Sequence, residues 1–294
     1  MTPQEITLHI PAKVNLSLDI TGKRPDGYHT LRSIFQTIGI YDTLTVIRHS
    51  DDAPMTITCN DPAVPCDARN LVWKAAVRLL GDQPRGLSVK LVKRIPSQAG
   101  MGGGSADCAA ALLGIRTLLR LPVSDAALHS HAAALGADVA FFLTGGTALA
   151  EGIGEILTPL PPMPERILVI AKGTEGVSTP AAYRALDALE TPLPPHTDGV
   201  LAHYAAEDPA EAFASFGNDF DAVTDLEEVE RIRTIMRENG VIPVLSGSGA
   251  AVFGGCCTKE QAERCADALR AAGLPFVRVC RTTAAGIRRN AEAR

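Results

Sequence analysis

Residues 96–107 read Pro-Ser-Gln-Ala-Gly-Met-Gly-Gly-Gly-Ser-Ala-Asp and place four glycines, Gly100, Gly102, Gly103 and Gly104, within five positions. Such a stretch is almost free of side chains, so its backbone approaches another group closely and its N–H donors converge on it. Ser105 and Asp107 suit a helix cap and first turn, and the alanine-rich run 106–119 reads as a buried helix. A glycine loop feeding a helix N-terminus is an anion site, because orphan N–H groups and the helix dipole both favour negative charge. The dipole contributes only about 0.3–2 kcal/mol, so several donors acting together must supply most of the affinity. The pattern is not G-x-x-x-x-G-K-[ST], since no Lys-Ser or Lys-Thr follows, and Ser105 stands where G-x-G-x-x-G needs its last glycine. On the glycines alone, a phosphate cradle and a plain turn before a core helix both stay open.

Other positions carry groups suited to the same chemistry. Lys13 and Asn15 sit near the start of a strand in which Val14, Leu16, Leu18 and Ile20 alternate with Asn15, Ser17 and Asp19. A lysine there is a solvated surface residue unless a partner faces it. Tyr28-His29 follows the turn cluster at 21–27 in a chain with only 4% aromatic residues. The pair offers stacking and hydrogen bonding, or simply ends a strand. Asp138 follows Gly136 in a short apolar stretch, as a helix cap or as an active-site acid. Ser246-Gly247-Ser248-Gly249-Ala250 is a second small-residue loop. Two such loops, one per half, suggest a ligand held between them. No metal site is expected. Cys256-Cys257 near Cys265 lacks a neighbouring histidine, and His129 and His131, two residues apart, do not share a helix face.

The elements that must position these groups read as α+β. Strands are expected at 8–20, in two extended pieces interrupted at Pro11-Ala12-Lys13, and at 30–38, 43–48, 55–59 and 87–92. A helix runs from Asn70 to Leu80 before Gly81, another is opened by Ser124 and closed by Gly136, and 145–154 is a glycine-punctuated hairpin. Leu160-Pro-Pro-Met-Pro164 reads as a linker, dividing the chain into units 1–162 and 163–285 with a basic, loose tail at 286–294. The second unit follows the order strand, helix, strand, strand, helix, strand, which suggests a ferredoxin-like fold. The chain has 294 residues, is 46% hydrophobic and carries a net charge of −5. That balance argues against nucleic-acid or anionic-membrane partners. Without an 18-residue apolar run or a basic, apolar leader, a cytoplasmic protein is expected. Seven cysteines, an odd number, read as buried free thiols.

Three separated motifs then agree. Pro11-Ala-Lys-Val-Asn-Leu16, the stretch from Pro96 to Ala106, and Leu245-Ser-Gly-Ser-Gly-Ala250 resemble those of the GHMP kinase superfamily. The resemblance continues through Gly22-Lys-Arg-Pro-Asp-Gly-Tyr-His-Thr-Leu31, Leu135-Gly-Ala-Asp-Val-Ala-Phe-Phe142 and Glu151-Gly-Ile-Gly-Glu155, over nearly the whole chain. It implies an N-terminal ribosomal-protein-S5-like domain, a C-terminal ferredoxin-like domain, and ATP with Mg²⁺ as phosphoryl source. The Gly-Tyr-His segment is similar to the branch that phosphorylates the free 2-hydroxyl of a methylerythritol already carrying a cytidine diphosphate, in the non-mevalonate isoprenoid route.

Carried over by matched motif, Pro96, Ser97, Gln98, Ala99, Gly100, Met101, Gly102, Gly103, Gly104, Ser105 and Ala106 cradle the ATP phosphates. Asn70 and Lys93 match residues beside the adenine, and Lys13 and Asp138 are the implied catalytic pair. Asn15 helps to place the methylerythritol. Tyr28, His29 and Phe35 hold the cytidine end, with Tyr183 matching an aromatic that stacks on cytosine. Asn218-Asp219 and residues 247–249 belong to the wall. Ala140 replaces a frequent proline, Met101 a usual leucine and Ala106 a frequent serine. The partner implied is a small molecule, and the assembly a monomer or weak homodimer. A homoserine or mevalonate kinase, a diphosphate decarboxylase and a non-catalytic nucleotide-binding protein on the same scaffold are the alternatives.

Overall fold

A computed structural model describes residues 4–289. The chain starts with two long antiparallel strands, β1 (Gln4–Lys23) and β2 (His29–Arg48). The expected break at Pro11-Ala12-Lys13 is a register shift rather than an interruption, with further shifts at Asn15/Ser17 and Ile20/Gly22. Pro11, which has no N–H to give the ladder, stays opposite Tyr41; the shift comes from the extra β2 residues Gly39 and Ile40, and pairing continues on both sides. After β3 (Thr56–Cys59), α1 (Leu71–Leu80) crosses to β4 (Leu87–Val92), which runs parallel to β3. Then come α2 (Gly103–Leu118), α3 (Asp125–Leu135), α4 (Val139–Thr144) and the hairpin β5 (Thr147–Glu151) and β6 (Ile156–Pro159).

Helix α2 begins three residues earlier than its composition suggests. Gly102, at φ 71°, supplies the left-handed turn that lets Gly103 enter the helix. The run Cys108–Leu112 is fully buried against β1 and β2. A Cβ on Gly114 would already stand 3.1 Å from the side chains of Leu8 and Val46, so helix and sheet pack at glycine distance. Ser124 caps α3 through Ala127 N–H, and Asn70 caps α1 through Val72 N–H.

The chain passes to a second sheet between Pro159 and Ile167. The elements there are β7 (Ile167–Lys172), α5 (Thr179–Asp187), α6 (Thr197–His203), α7 (Pro209–Ala214), β8 (Gly217–Asn218), a 3₁₀ turn at Asp219–Ala222 and α8 (Glu227–Glu238). They are followed by β9 (Val244–Leu245), β10 (Val252–Cys256), α9 (Lys259–Ala271), β11 (Phe276–Arg281) and β12 (Arg288–Arg289). The sheet order β11-β7-β10-β9, all antiparallel, is the ferredoxin-like arrangement, with α5–α7 and β8 inserted in the first crossover. Strand β7 alternates between two cores. Val169 and Ala171 pack with α8 and α9, while Leu168 and Ile170 pack with Val14, Leu16, Ile34 and Ile38 of the first sheet.

Three expectations need correction. The polar face of β1 is not solvated: Lys13, Asn15 and Ser17 are buried, Lys13 under the glycine loop and Ser17 where β8 and α6 lie beside the strand. The stretch after residue 285 is not loose where it is described, since Arg288–Arg289 pair with His9 and Leu8 and Ile287 packs on the first core; residues 290–294 lie outside the described residues. All seven cysteines are free, but Cys66 and Cys257 are exposed. Burial pushes the thiols of Cys108, Cys256 and Cys280 up to about 12. Among the described residues no helix is long and apolar enough to cross a membrane.

Candidate active site

Just past the register shift, where β2 carries the extra residues Gly39 and Ile40, β1 brings Lys13 beneath the glycine loop, and its backbone N–H donates to Met101 O (3.1 Å). Its ammonium donates to Asn15 Oδ1 (2.7 Å), lies 3.6 Å from Asp138 Oδ2 and sits 4.8 Å from the centroid of the Phe35 ring. Asn15 is fixed in turn by donating to Ser33 Oγ (2.8 Å). Lys13 is only 3% exposed, and burial lowers its pKa, with Asp138 pulling the other way. The two readings of Asp138 now separate. It occupies the position before α4, yet its side chain caps nothing; it faces Lys13 and is 30% exposed. The capping reading is therefore set aside, and the carboxylate is left turned toward Lys13 and the cleft.

The glycine loop is braced from the other sheet. Ser246 Oγ donates to Gly100 O (3.0 Å), and the N–H groups of Ala250 and Ala251 donate to Gln98 O and Ala99 O, both at 3.3 Å. Gly100 has φ 70°, and a Cβ there would run into the Ser246 carbonyl, so both conformation and space demand glycine. Asn218 holds the second loop by donating to Leu245 O (2.7 Å) and Gly247 O (2.8 Å). Ala99 and Met101 bury their side chains and offer only backbone. At the start of α2 no side chain caps the helix. The first N–H groups, at Gly103, Gly104 and Ser105, have no carbonyl four residues back inside it. They face a cleft of about 210 Å³ lined by Leu71, Lys93, Ile95 and residues 96–105.

Lys93 enters that cleft from a buried ion cluster. Its ammonium contacts Asp42 Oδ2 and Asp107 Oδ2, the latter at 2.5 Å. Asp42 Oδ1 also accepts from Arg94 N–H and Ile95 N–H, at 2.5 and 2.9 Å. Asp107 has the lysine alone, and its Oδ1 is buried without a hydrogen-bond partner. Burial pushes the Asp107 carboxyl up to about 7; Lys93 opposes this and Asp42 adds to it. Asp107 is therefore not the solvated first-turn residue its position suggests. Asn70 spends its side chain capping α1 and donating to Pro65 O (2.6 Å), and its neighbour Leu71 is the one that lines the cleft.

A second cleft, of about 340 Å³, opens on the other side of the loop and is lined by Lys13, Asn15, Phe35, Asp138, Tyr183 and Phe220 among others. Both clefts share Gln98, Gly100 and Gly102, so they meet at the loop. His29 stacks on Tyr183 with centroids 4.4 Å apart and planes 13° from parallel, and Tyr183 meets Phe220 edge-on at 5.1 Å. Asp187 pins the pair from below, accepting from His29 Nε2 (2.7 Å) and Lys23 Nζ (2.6 Å). Tyr28 is not brought to this cleft; it is 62% exposed. Missed from sequence were Asp42, Asp187, the lining side chains Leu18, Leu31 and Ile153, and the pairing of the Thr179 hydroxyl with that of the wall residue Ser248 at 2.8 Å. None carries a local signal, because each is defined by a partner distant in the chain.

Fold and site together define a GHMP kinase, and the model of the GHMP kinases N terminal domain matches residues 70–146. The chain is 42% identical over 275 residues to the 4-diphosphocytidyl-2-C-methyl-D-erythritol kinase of Moorella thermoacetica, covering 90% of this chain and 95% of that one. It is 40% identical to the enzyme of the same name from Desulfitobacterium hafniense, over 90% and 92% of the two chains. A crystal structure of 4-(cytidine 5′-diphospho)-2C-methyl-D-erythritol kinase aligns with a TM-score of 0.74 at 34% identity, over 94% and 98%. The homoserine kinase of Cytophaga hutchinsonii aligns with a TM-score of 0.73 at 19% identity, over 98% of each chain, and shares the fold. The chain belongs to the 4-diphosphocytidyl-2-C-methyl-D-erythritol kinase family of phosphotransferases.

Proposed function

We propose that Lys13 and Asp138 serve the reaction of this kinase, in which the γ-phosphoryl group of ATP passes to the 2-hydroxyl of 4-diphosphocytidyl-2-C-methyl-D-erythritol, giving the 2-phosphate and ADP in the non-mevalonate isoprenoid route. One observation carries the assignment: the nucleotide-side and acceptor-side clefts meet at the glycine loop, with Lys13 and Asp138 lining the acceptor cleft at that junction.

Transfer to an alcohol through a loose transition state needs alignment and charge stabilisation more than covalent help. The loop's converging N–H groups and the start of α2 suit the triphosphate, and Gly104, where a Cβ would meet nothing closer than Leu71 at 4.0 Å, leaves the cleft side open. Asp138 orients the hydroxyl and takes its proton, a contribution of roughly 10²–10⁴-fold. Lys13, 3.6 Å from that carboxylate, stabilises the transferring group. Mg²⁺ bound with the triphosphate would neutralise its charge, and the Ser105 hydroxyl and the Asp138 carboxylate are oxygen donors of the kind it accepts. On the acceptor side, Asn15 places the methylerythritol, while His29, Phe35 and Tyr183 offer the planar faces and polar edge that a cytosine ring requires. A homoserine or mevalonate acceptor has no use for that aromatic set.

The test is ADP release with ATP, Mg²⁺ and a panel of alcohols. Turnover is expected with the cytidylated methylerythritol and not with homoserine or mevalonate. ADP formed on homoserine alone, or carbon dioxide released from a diphosphate substrate, would overturn the reading.

A further inference from the structure

Behind the acceptor wall, Asp19, His196 and Asp219 converge so that one ligand atom from each lies within 4.8 Å of the others. They come from three separate pieces of chain: β1, the residue before α6, and the 3₁₀ turn after β8. Backbone donors fix both acids. The two oxygens of Asp19 accept from His196 N–H (2.8 Å) and Thr197 N–H (2.9 Å), and Asp219 Oδ2 accepts from Ile20 N–H (2.7 Å). The His196 ring lies against Gly217, where no Cβ could fit, and presents Nε2 toward Asp219.

One atom is left over. Asp219 is 6% exposed, and its Oδ1 is buried without a hydrogen-bond partner. His196 Nε2 stands 3.6 Å from it, beyond hydrogen-bond length. A bare carboxylate oxygen beside a second buried carboxylate is costly unless something positive completes the group.

We propose that Asp19, His196 and Asp219 form a divalent-cation site distinct from the one that accompanies ATP. Two carboxylates and an imidazole suit Mn²⁺ or Zn²⁺ better than Mg²⁺ or Ca²⁺, which prefer all-oxygen sets. The side chain of His196 is 29% exposed, which gives an ion a way in and leaves room for water ligands. The ion would tie β1 to α6 and to Asn218-Asp219, and Asn218 is the residue that holds the second glycine loop. Its consequence is a stiffer acceptor wall rather than a step in the transfer.

The test is an EPR titration of the nucleotide-free protein with Mn²⁺ alone, beside a thermal melt with Zn²⁺ alone. Wild type is expected to bind one tight equivalent of Mn²⁺ and to melt higher with Zn²⁺. Asp219→Asn keeps an acceptor for Ile20 N–H but removes the charge, and His196→Gln changes a partly exposed side chain. Each should weaken Mn²⁺ binding at least ~10-fold, the lower end of what even outer-shell partners contribute, and abolish the Zn²⁺ shift, while Asp138→Asn retains both. The proposal fails if wild type binds neither ion, if the two variants bind as tightly as wild type, or if Asp138→Asn alone loses the ion.

Discussion

Lys13 and Lys93 flank the same glycine loop. Lys13 Cγ lies 3.2 Å from where a Cβ on Gly102 would be, and Lys93 Nζ lies 3.2 Å from the same point on Gly103. Their electrostatic settings are opposite. Lys93 is clamped between Asp42 and Asp107, both buried; burial works against its charge, but the two carboxylates outweigh it and raise the pKa. Lys13 has a single carboxylate at 3.6 Å, on a side chain left 30% exposed, and burial wins, lowering its pKa. A lysine saturated by buried acids has little left for a ligand and acts by holding the loop and α2 in register. A lysine with one loosely held, half-open acid keeps its field available to whatever enters the cleft.

Substitutions at the two sites should therefore fail differently. The largest effect is expected from Asp138→Asn: ADP release should fall by roughly 10²–10⁴-fold, with ATP binding by calorimetry retained, and near-normal turnover would remove Asp138 from the mechanism. Lys93→Met leaves Asp42 and Asp107 without a countercharge and should cost about 3–5 kcal/mol in urea unfolding. Lys13→Met, whose partner is 30% exposed, should lower turnover by less than Asp138→Asn does, at a much smaller cost in stability than Lys93→Met. Equal stability losses for the two would erase the contrast. Gly100→Ala, which drives a methyl into the Ser246 carbonyl, should shift the loop that both clefts share and lower kcat/KM by about 10²-fold. The mildest test is pH. The Asp107 carboxyl titrates near 7 folded against an ordinary 3.8, so the folded state binds the extra proton between those values. Its stabilising contribution is complete below 3.8 and fades as pH rises through about 7. Asp107→Asn should flatten that part of the Tm–pH curve, and an unchanged slope would assign it to another group.

The parts legible in the sequence are those set by short-range rules. The glycine loop announces itself because it needs the absence of side chains, and α1 and α3 start and stop at Asn70, Gly81, Ser124 and Gly136 where capping chemistry puts them. The ferredoxin-like half follows from the order of its strands and helices. What stayed hidden depends on pairing across the fold. Lys13 looks like a solvated strand residue until Asp138 and the loop are laid over it. Asp107 looks like a first-turn acid until the left-handed Gly102 moves the helix start to Gly103 and turns that acid onto Lys93. Nothing local marks Ala250 and Ala251 as donors to the loop, since only their backbone is used.

That last contact bears on what can be moved between proteins. The recognisable glycine pattern lies within residues 70–146, but the donors that satisfy the carbonyls of Gln98 and Ala99 come from 250 and 251, in the other half of the chain. A graft of the glycine stretch into a foreign scaffold would bring its letters without its curvature, and two thirsty carbonyls would seek new donors. Any chimera meant to keep the nucleotide grip has to import the Ser246–Ala251 turn together with it.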